Sequence, residues 1–517
     1  MIPFNAPTDD ILFSMNHVAG ASTVGGWDID LASEVLAHFS RFAQDVIAPL
    51  NALGDSEHAR LIDGRVKMPT GFASAYAQLA QDGWQGLTAP EEFGGQGASC
   101  LISAAVSEVF SGANHAMQMV CSLVPGAIST LIKFGTQAQQ NKWIPKLASG
   151  EVLSTMCLTE AQAGSDLSAI RCSATHTLNG WRITGEKIFI SGGDQDMSDD
   201  ILHLVLARSN PAGMNGLSLF LCPAQPQISV TRIEHKMGLH ASPTCQLRFD
   251  DAQAELIGAE GQGLQAMFTM MNHARIDVAL QGVAHASRAA QIAAAYAADR
   301  VQGRQSDGSP AHLQDHADVQ RMLDEQQRLT HGARAMCHIA LVELARANRP
   351  SLCDFLTPLC KVFGSNAGIR SADLGIQILG GYGYLTEYGL EQIWRDARIC
   401  AIYEGANGIH ERSIATRGLR PGGGADEFVD LIIELCNGDP MILASLEDWQ
   451  KSRTFMVDMS DPLPHAHAFA QSTVNLFYEA ALTRIHAVAD HHPKPDAMRR
   501  LAKPARSEIP VQIRGIQ

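Results

Sequence analysis

The chain contains no uncharged apolar run of about 18 residues, so no segment has the length and composition of a membrane-spanning helix. Its start, Met1-Ile-Pro-Phe-Asn5, lacks a basic stretch followed by an apolar one, so it does not read as a signal peptide, and a cytoplasmic protein is expected. Excess positive charge is missing as well. The 39 Lys and Arg against 54 Asp and Glu leave a net charge of −15, which argues against nucleic acid or an anionic membrane as partner, because phosphate binding needs clustered cations. A small anionic ligand needs only a few local cations and is not excluded. No two of the eleven cysteines stand at C-x-x-C spacing, so they read as small buried hydrophobes in a reducing compartment. The twenty histidines show no ligand pattern, and no metal site is expected. His491-His492 stands in a polar, Pro-containing tail and reads as solvated.

What is present is a globular composition: 46% hydrophobic and 18% charged residues, far from the disordered range. At 517 residues the chain exceeds what one core usually organises, and its patterning changes along its length. After an N-terminal extension (1–27), residues 28–150 carry a helical period. Leu31, Val35, Phe39 and Phe42 share one predicted face, and segments around 70–82, 99–118 and 123–134 behave similarly. From 151 to 255 the period becomes two, as in Leu217, Leu219 and Leu221, in Ile228 and Val230, and in Cys245, Leu247 and Phe249. Asn179-Gly180 reads as a hairpin turn. Over 256–420 the helical period returns. Leu264, Met267, Phe268 and Met271 form one stripe, and Leu329, Ala333, Met336, Ala340 and Leu344 another. Small residues dominate 284–298, which suits close helix packing or a subunit interface. Pro421-Gly-Gly-Gly424 breaks the pattern before a less patterned extension, 421–517. The fold class expected is mainly α with a central β-subdomain, a small barrel or sandwich.

Four runs are candidates for chemistry. Leu158-Thr-Glu-Ala-Gln-Ala-Gly-Ser-Asp166 either lets backbone N–H groups approach a polar ligand or is a turn into the β-subdomain. Phe189-Ile-Ser-Gly-Gly193 either flanks a flat ring system or ends a strand. Gln377-Ile-Leu-Gly-Gly-Tyr-Gly-Tyr384 either cradles a pyrophosphate or ends a helix. Finally, Glu404 in Ile402-Tyr-Glu-Gly-Ala-Asn407 follows an apolar stretch, so its carboxyl is either desolvated and reactive or simply solvated at a turn. Gly261-Gln-Gly263-Leu-Gln-Ala266 matches a dinucleotide fingerprint, but the flanking chain is not βαβ and Gln281 and Gly282 stand where an acidic residue would. It reads as a tight turn into a helix.

In this order and spacing the runs resemble the acyl-CoA dehydrogenase family, from about Trp84 to Arg417. The resemblance implies a helical domain, a β-barrel or sandwich domain and a four-helix bundle, with FAD as cofactor. It implies flavin contacts at Met156, Leu158, Thr159, Phe189, Ser191 and Ala406, and contacts across a subunit interface from Arg300, Gln377, Gly380 and Gly381. Ser165, Arg275 and Gly405 would meet the acyl-CoA substrate, and Glu404 would be the catalytic base. Some branches place the base just before the helix arginine, but that position is Ala274, which leaves Glu404. Three positions depart from the family pattern: Ala406 for a Thr, Asn272 for an acidic residue, and Gln302-Gly303-Arg304 for a Phe-Gly. The last, with Ala6-Pro-Thr-Asp-Asp10 and the C-terminal extension, resembles a larger bacterial branch that includes 3-methylmercaptopropionyl-CoA dehydrogenase and broad-range fatty acyl-CoA enzymes.

By the same resemblance, Glu404 takes the α-proton, a hydride leaves the β-carbon for flavin N5, and a trans-2-enoyl-CoA results. An electron-transferring flavoprotein would accept the electrons, and the protein would be a homodimer or homotetramer. The alternatives are an acyl-CoA oxidase reoxidised by O2 and a non-catalytic flavoprotein of the same fold. A DNA-binding relative would want a basic patch, which pI 5.7 disfavours.

Overall fold

The computed structural model describes residues 2–501, apart from the side chains of 271–274, where Met271, Asn272 and Ala274 lie outside the described residues. The chain opens with α1 (Thr8–Phe13), then α2 (Ile29–Phe42) and α3 (Leu50–Glu57), a hairpin of β1 (Arg60–Ile62) and β2 (Arg65–Lys67), and α4 (Phe72–Gln81). Next come α5 (Cys100–Cys121), α6 (Leu123–Phe134) and α7 (Gln137–Ser149). Local chemistry sets these starts. Asp28 accepts from the amides of Asp30 and Leu31, Ser99 from that of Ile102, and Thr136 with Gln139 forms a capping box. The predicted face of α2 holds at Phe39 and Phe42, which are buried, but Leu31 is exposed and Ala32 and Leu36 are buried beside it. Alanine at position 32, which carries little hydrophobic signal of its own, faces the core.

The middle of the chain supplies β3 (Val152–Cys157), β4 (Ser173–Thr177), β5 (Gly180–Ser191), β6 (Asp200–Arg208), β7 (Leu217–Pro223), β8 (Ile228–Ile233) and β9 (Thr244–Ile257). Pairings β6–β4–β5–β9–β7–β6 close a ring, with β3 added on β6 and β8 on β9, so the sheet is a small barrel. Strand β7 is buried on both faces: Leu217, Leu219 and Leu221 pack with the N-terminal helices, while Phe220 and Cys222 fill the barrel. The β4–β5 turn is displaced by one residue from the expected pair. Thr177 pairs with Gly180, so Leu178-Asn179 occupy the loop, and Gly180 (φ +95°) but not Asn179 has positive φ.

Then follow α8 (Gly263–Asp299), the hairpin β10 (Val301–Arg304) with β11 (Pro310–His312), α9 (Ala317–Arg346), α10 (Pro350–Leu379), α11 (Leu390–Ala397) and α12 (Asn407–Ala415). Residues 261–263 are the expected tight turn: Gly261 has φ +81°, and a Cβ on Gly263 would meet the Ser218 carbonyl carbon at 2.4 Å. On α8, Met267 is buried but Phe268 is exposed, and on α9 Leu344 is exposed although Ala333, Met336 and Ala340 are buried. The small residues of α8 serve contact within the chain, since most of 284–298 is buried against its own neighbours.

The extension beyond 420 differs from expectation. It forms α13 (Ala425–Leu435), α14 (Pro440–Asp458), α15 (Ala466–Ala487) and α16 (Pro495–Leu501). Phe428, Trp449, Phe469 and Phe477 bury their rings in a core shared with α9 and α10. His492 is also buried rather than solvated, with Nε2 3.0 Å from Asp10 Oδ1. Among the described residues no single helix is long and apolar enough to cross a membrane; α5 and α6 pass only together, bent by 44°, and both are buried in the core.

Candidate active site

The turn between α11 and α12 carries Glu404 against α8 and α10, which supply Arg275 and Lys361. Its backbone is left-handed at two successive residues, Glu404 (φ +52°) and Gly405 (φ +94°). For a glutamate that conformation is strained, and such strain persists only where the surroundings impose it. Two donors do so. His410 Nε2 lies 3.0 Å from the Glu404 carbonyl, and Lys361 Nζ donates to the Gly405 carbonyl at 2.7 Å. A side chain at 405 would be strained at φ +94°, and its Cβ would meet His410 Nε2 at 2.9 Å and push that donor aside.

Glu404 keeps part of its surface open, yet Oε2 is occluded and has no hydrogen-bond partner among the described residues. Burial pushes its carboxyl up to about 7, against the opposing pull of the Arg275 and Lys361 cations. Arg275 reaches the site from α8, and burial holds its guanidinium below the usual range despite Glu404 nearby. Residues 129 positions apart in sequence thus act on each other electrostatically in a dry setting.

Behind the turn runs a buried polar chain that the sequence does not announce. Tyr403 donates to Gln281 and lies 3.1 Å from His115 Nε2, whose Nδ1 is 2.8 Å from His285 Nε2. Gln281 continues to Gln118 (3.1 Å) and Asp277 (3.0 Å), and Ser107 donates to Asp277. The helix kink at Asn114 (φ −161°, ψ 92°), whose side chain accepts from Met117 N, turns this part of α5 inward. His115, His285 and Cys400 bring possible ligand atoms within 4.8 Å of one another, a cluster missed by sequence spacing. Hydrogen bonds to protein already engage both imidazoles. Ser107, Gln118 and Asp277 also edge a cavity of about 350 Å³ whose apolar lining includes Phe39, Trp84, Phe110, Leu123, Met270 and Leu280.

The other predicted residues fall into two groups. On the barrel, Met156, Leu158 and Thr159 lead from β3 into a loop whose Ser165 is exposed. Thr159 O accepts from Ile188 N at 2.9 Å, which brings this loop beside Phe189 and Ser191. The fully buried Lys187 fixes the same loop by donating to Leu158 O (3.0 Å) and to Glu160 (2.8 Å). Phe189 has φ +58° at a bulge in β5 and turns its ring outward, 59% exposed. At the far end of α8, Arg300 stands 5.7 Å over the Tyr382 ring, beside the turn that starts at Gly380 and Gly381 after Gln377. Gly380 has φ +60° and ψ −132°, a conformation available only to glycine, and nothing lies within 4 Å of its would-be Cβ. Ala406 is exposed and occupies the N-cap of α12 with no side-chain cap.

Lys361 and His410 escaped the sequence reading. The available signal was a lone lysine inside the apolar run Phe355-Leu-Thr-Pro-Leu-Cys-Lys-Val-Phe363.

Three successive family profiles match: acyl-CoA dehydrogenase N-terminal domain over 32–151, middle domain over 155–252 and C-terminal domain over 261–419. The chain is 40% identical over 464 residues to 3-methylmercaptopropionyl-CoA dehydrogenase of Ruegeria pomeroyi, covering 83% of this chain and 79% of that one. It is 32% identical over 463 residues to a broad-specificity linear acyl-CoA dehydrogenase of Mycobacterium tuberculosis, covering 81% and 75%. In fold it is similar to Caenorhabditis elegans ACDH-11, solved in complex with C11-CoA, with a TM-score of 0.82 at 19% identity over 97% of this chain and 91% of that one. A core of helices, barrel and helices with this extent of sequence likeness leaves one assignment: the chain belongs to the acyl-CoA dehydrogenase family, FAD-using oxidoreductases that act on CH–CH bonds.

Proposed function

We propose that the protein catalyses FAD-dependent α,β-dehydrogenation of an acyl-CoA thioester to the trans-2-enoyl-CoA, with Glu404 removing the α-proton. The observation that carries this reading is the Glu404 carboxyl, dry at Oε2 and raised to about 7. A thioester α-proton is a very weak acid, so its base must be disfavoured as an anion yet still available near neutrality. Burial supplies the first condition, and Arg275 with Lys361 keeps the carboxylate within reach. Amide N–H groups of Glu404, Gly405 and Ala406 donate to no acceptor among the described residues, so this turn has donors to offer a developing enolate oxygen.

The barrel residues fit a flavin. An outward Phe189 ring held at positive φ, with Gly192 (φ +63°) close behind, suits a flat ring system. Met156, Leu158, Thr159, Ser191 and Ala406 would complete that contact. Arg300, Gln377, Gly380 and Gly381 would serve the FAD of a neighbouring subunit, which makes the active form a homo-oligomer. When bound, FAD supplies the acceptor for the β-hydride. Ser165, Arg275 and Gly405 would hold the thioester, and the aromatic-lined cavity near α5 and α8 would take the acyl chain. An electron-transferring flavoprotein is the proposed electron acceptor.

Glu404→Gln tests the assignment. The variant should purify yellow with normal FAD content, and its flavin should stay oxidised with a saturated acyl-CoA that bleaches the wild type. Full bleaching would mean that another group is the base.

A further inference from the structure

We infer that Lys361 and His410 are positioning residues that clamp the base turn, holding two consecutive peptide planes so that the Glu404 carboxylate and the adjacent amides face the reacting thioester. This rests on Glu404 being the base. Lys361 is fully buried on α10, a costly place for a cation, and its partners are both on the turn and its exit: Gly405 O at 2.7 Å and Asn407 Oδ1 at 2.9 Å. Asn407 is held in turn by Ser365 Oγ at 3.1 Å, one helical turn from Lys361. His410 is buried on α12 and its Nε2 approaches Glu404 O at 3.0 Å, so that nitrogen carries the hydrogen.

Trans peptide planes carry C=O and N–H on opposite sides. Drawing the carbonyls of Glu404 and Gly405 toward α10 and α12 therefore turns the amides of Gly405 and Ala406 the other way. Without both donors, nothing keeps a glutamate in its left-handed backbone conformation, and the carboxyl would swing with the relaxing chain.

The clamp is also electrostatic. The groups facing Glu404 are Arg275 from α8, Lys361 from α10, His410 from α12 and Tyr403 from the preceding chain, with Cys400 behind Tyr403 and Lys361. Burial holds His410 down to about 4, pushes Cys400 up to about 12 and raises Tyr403 well above its ordinary value, so these three are neutral near neutrality. Lys361, lowered to about 8 by burial, is still charged there and pulls the Glu404 carboxyl down.

The test uses holoenzyme variants Lys361→Met, Lys361→Arg, His410→Leu and His410→Gln, followed by single-turnover flavin reduction with hexanoyl-CoA and by infrared titration of the buried carboxyl without substrate. Lys361→Met should slow reduction on the order of 100-fold, the cost of a misplaced group, with FAD content and hexanoyl-CoA binding retained. Its carboxyl titration and the acid limb of its pH profile should both move to higher pH, because a neighbouring positive charge is gone. Lys361→Arg should restore the midpoint and part of the rate. If Lys361→Met does not retain FAD, the His410 pair decides: Gln can still donate to the carbonyl and should outperform Leu. Wild-type rates in both Lys361→Met and His410→Leu, with Glu404→Gln inert, would overturn the clamp and leave the base standing. Full reduction by Glu404→Gln would instead remove the base itself.

Discussion

At the scale of single residues, Glu404 is destabilising whenever it is ionised. Its folded carboxyl stands near 7 against an ordinary value of 4.5, so folding favours the protonated form. A raised carboxyl contributes stability that is fully present below the ordinary value and is lost as pH rises through the folded one. Glu404→Gln should therefore match the wild type in thermal midpoint below about pH 4.5, exceed it increasingly as pH rises from there to about 7, and keep a constant advantage above that. Parallel curves across that range would mean that the carboxyl is solvated. Ala406 offers a second test. It has N-cap dihedrals (φ −56°, ψ 147°) but no side chain able to cap α12. Ala406→Thr should add about 1 kcal/mol of stability, measured by denaturant unfolding, and no gain would show that the first turn's amides already have partners. The acid at 404 was legible because it sits in a run that resembles a family. Its setting was not: Lys361 lies 43 positions away on another helix, and no local pattern links the two.

At the scale of elements, periodicity located helices and strands well and put most stripe residues in the core, but it misplaced Leu31, Phe268 and Leu344, which are exposed. Leu31 opens the hydrophobic stripe of α2 in the sequence, yet Ala32 is the buried residue. The turn at 178–179 slipped because a glycine closing a hairpin takes positive φ as readily as one inside its loop. The alanine- and glycine-rich part of α8 was readable as a close-packing surface, but not which partner it meets. That partner is α10: a Cβ on Gly282 would stand 2.1 Å from Gly364 O, and one on Gly368 would stand 2.7 Å from Gly282 O. Gly282→Ala sets two effects against each other. Helix propensity favours alanine by about 1 kcal/mol, whereas the clash is with backbone and can be relieved only by moving a whole helix, at about 1–3 kcal/mol or more. The clash should win, giving a net loss of stability in denaturant unfolding. A more stable variant would show that α8 and α10 separate at little cost.

At the scale of the whole molecule, the two terminal extensions are tied to the bundle by one cluster of charges. Arg334, fully buried on α9, donates twice to Glu108 Oε1 on α5 at 2.9 and 2.8 Å. Its other side faces Asp10 of α1 at 3.9 Å, and Asp10 also meets His331 at 4.0 Å and His492 at 3.0 Å. Burial alone would raise the Asp10 carboxyl, but His331, the His492 hydrogen bond and Arg334 more than reverse it and hold it well below the ordinary range. These contacts span more than 480 positions of sequence, which is why neither extension showed its role in composition: each contributes a single polar residue to a cluster built elsewhere. Removing the shared carboxylate should loosen both ends together. Asp10→Ala leaves Arg334 paired with Glu108 but leaves His492 Nε2 without its acceptor, a loss of about 1–3 kcal/mol. Hydrogen exchange should then speed up in α1 and in α16 in the same variant, with α10 unaffected. Faster exchange in α1 alone would show that the C-terminal helices hold to the bundle through Phe428, Trp449 and Phe477 without help from the N-terminal segment.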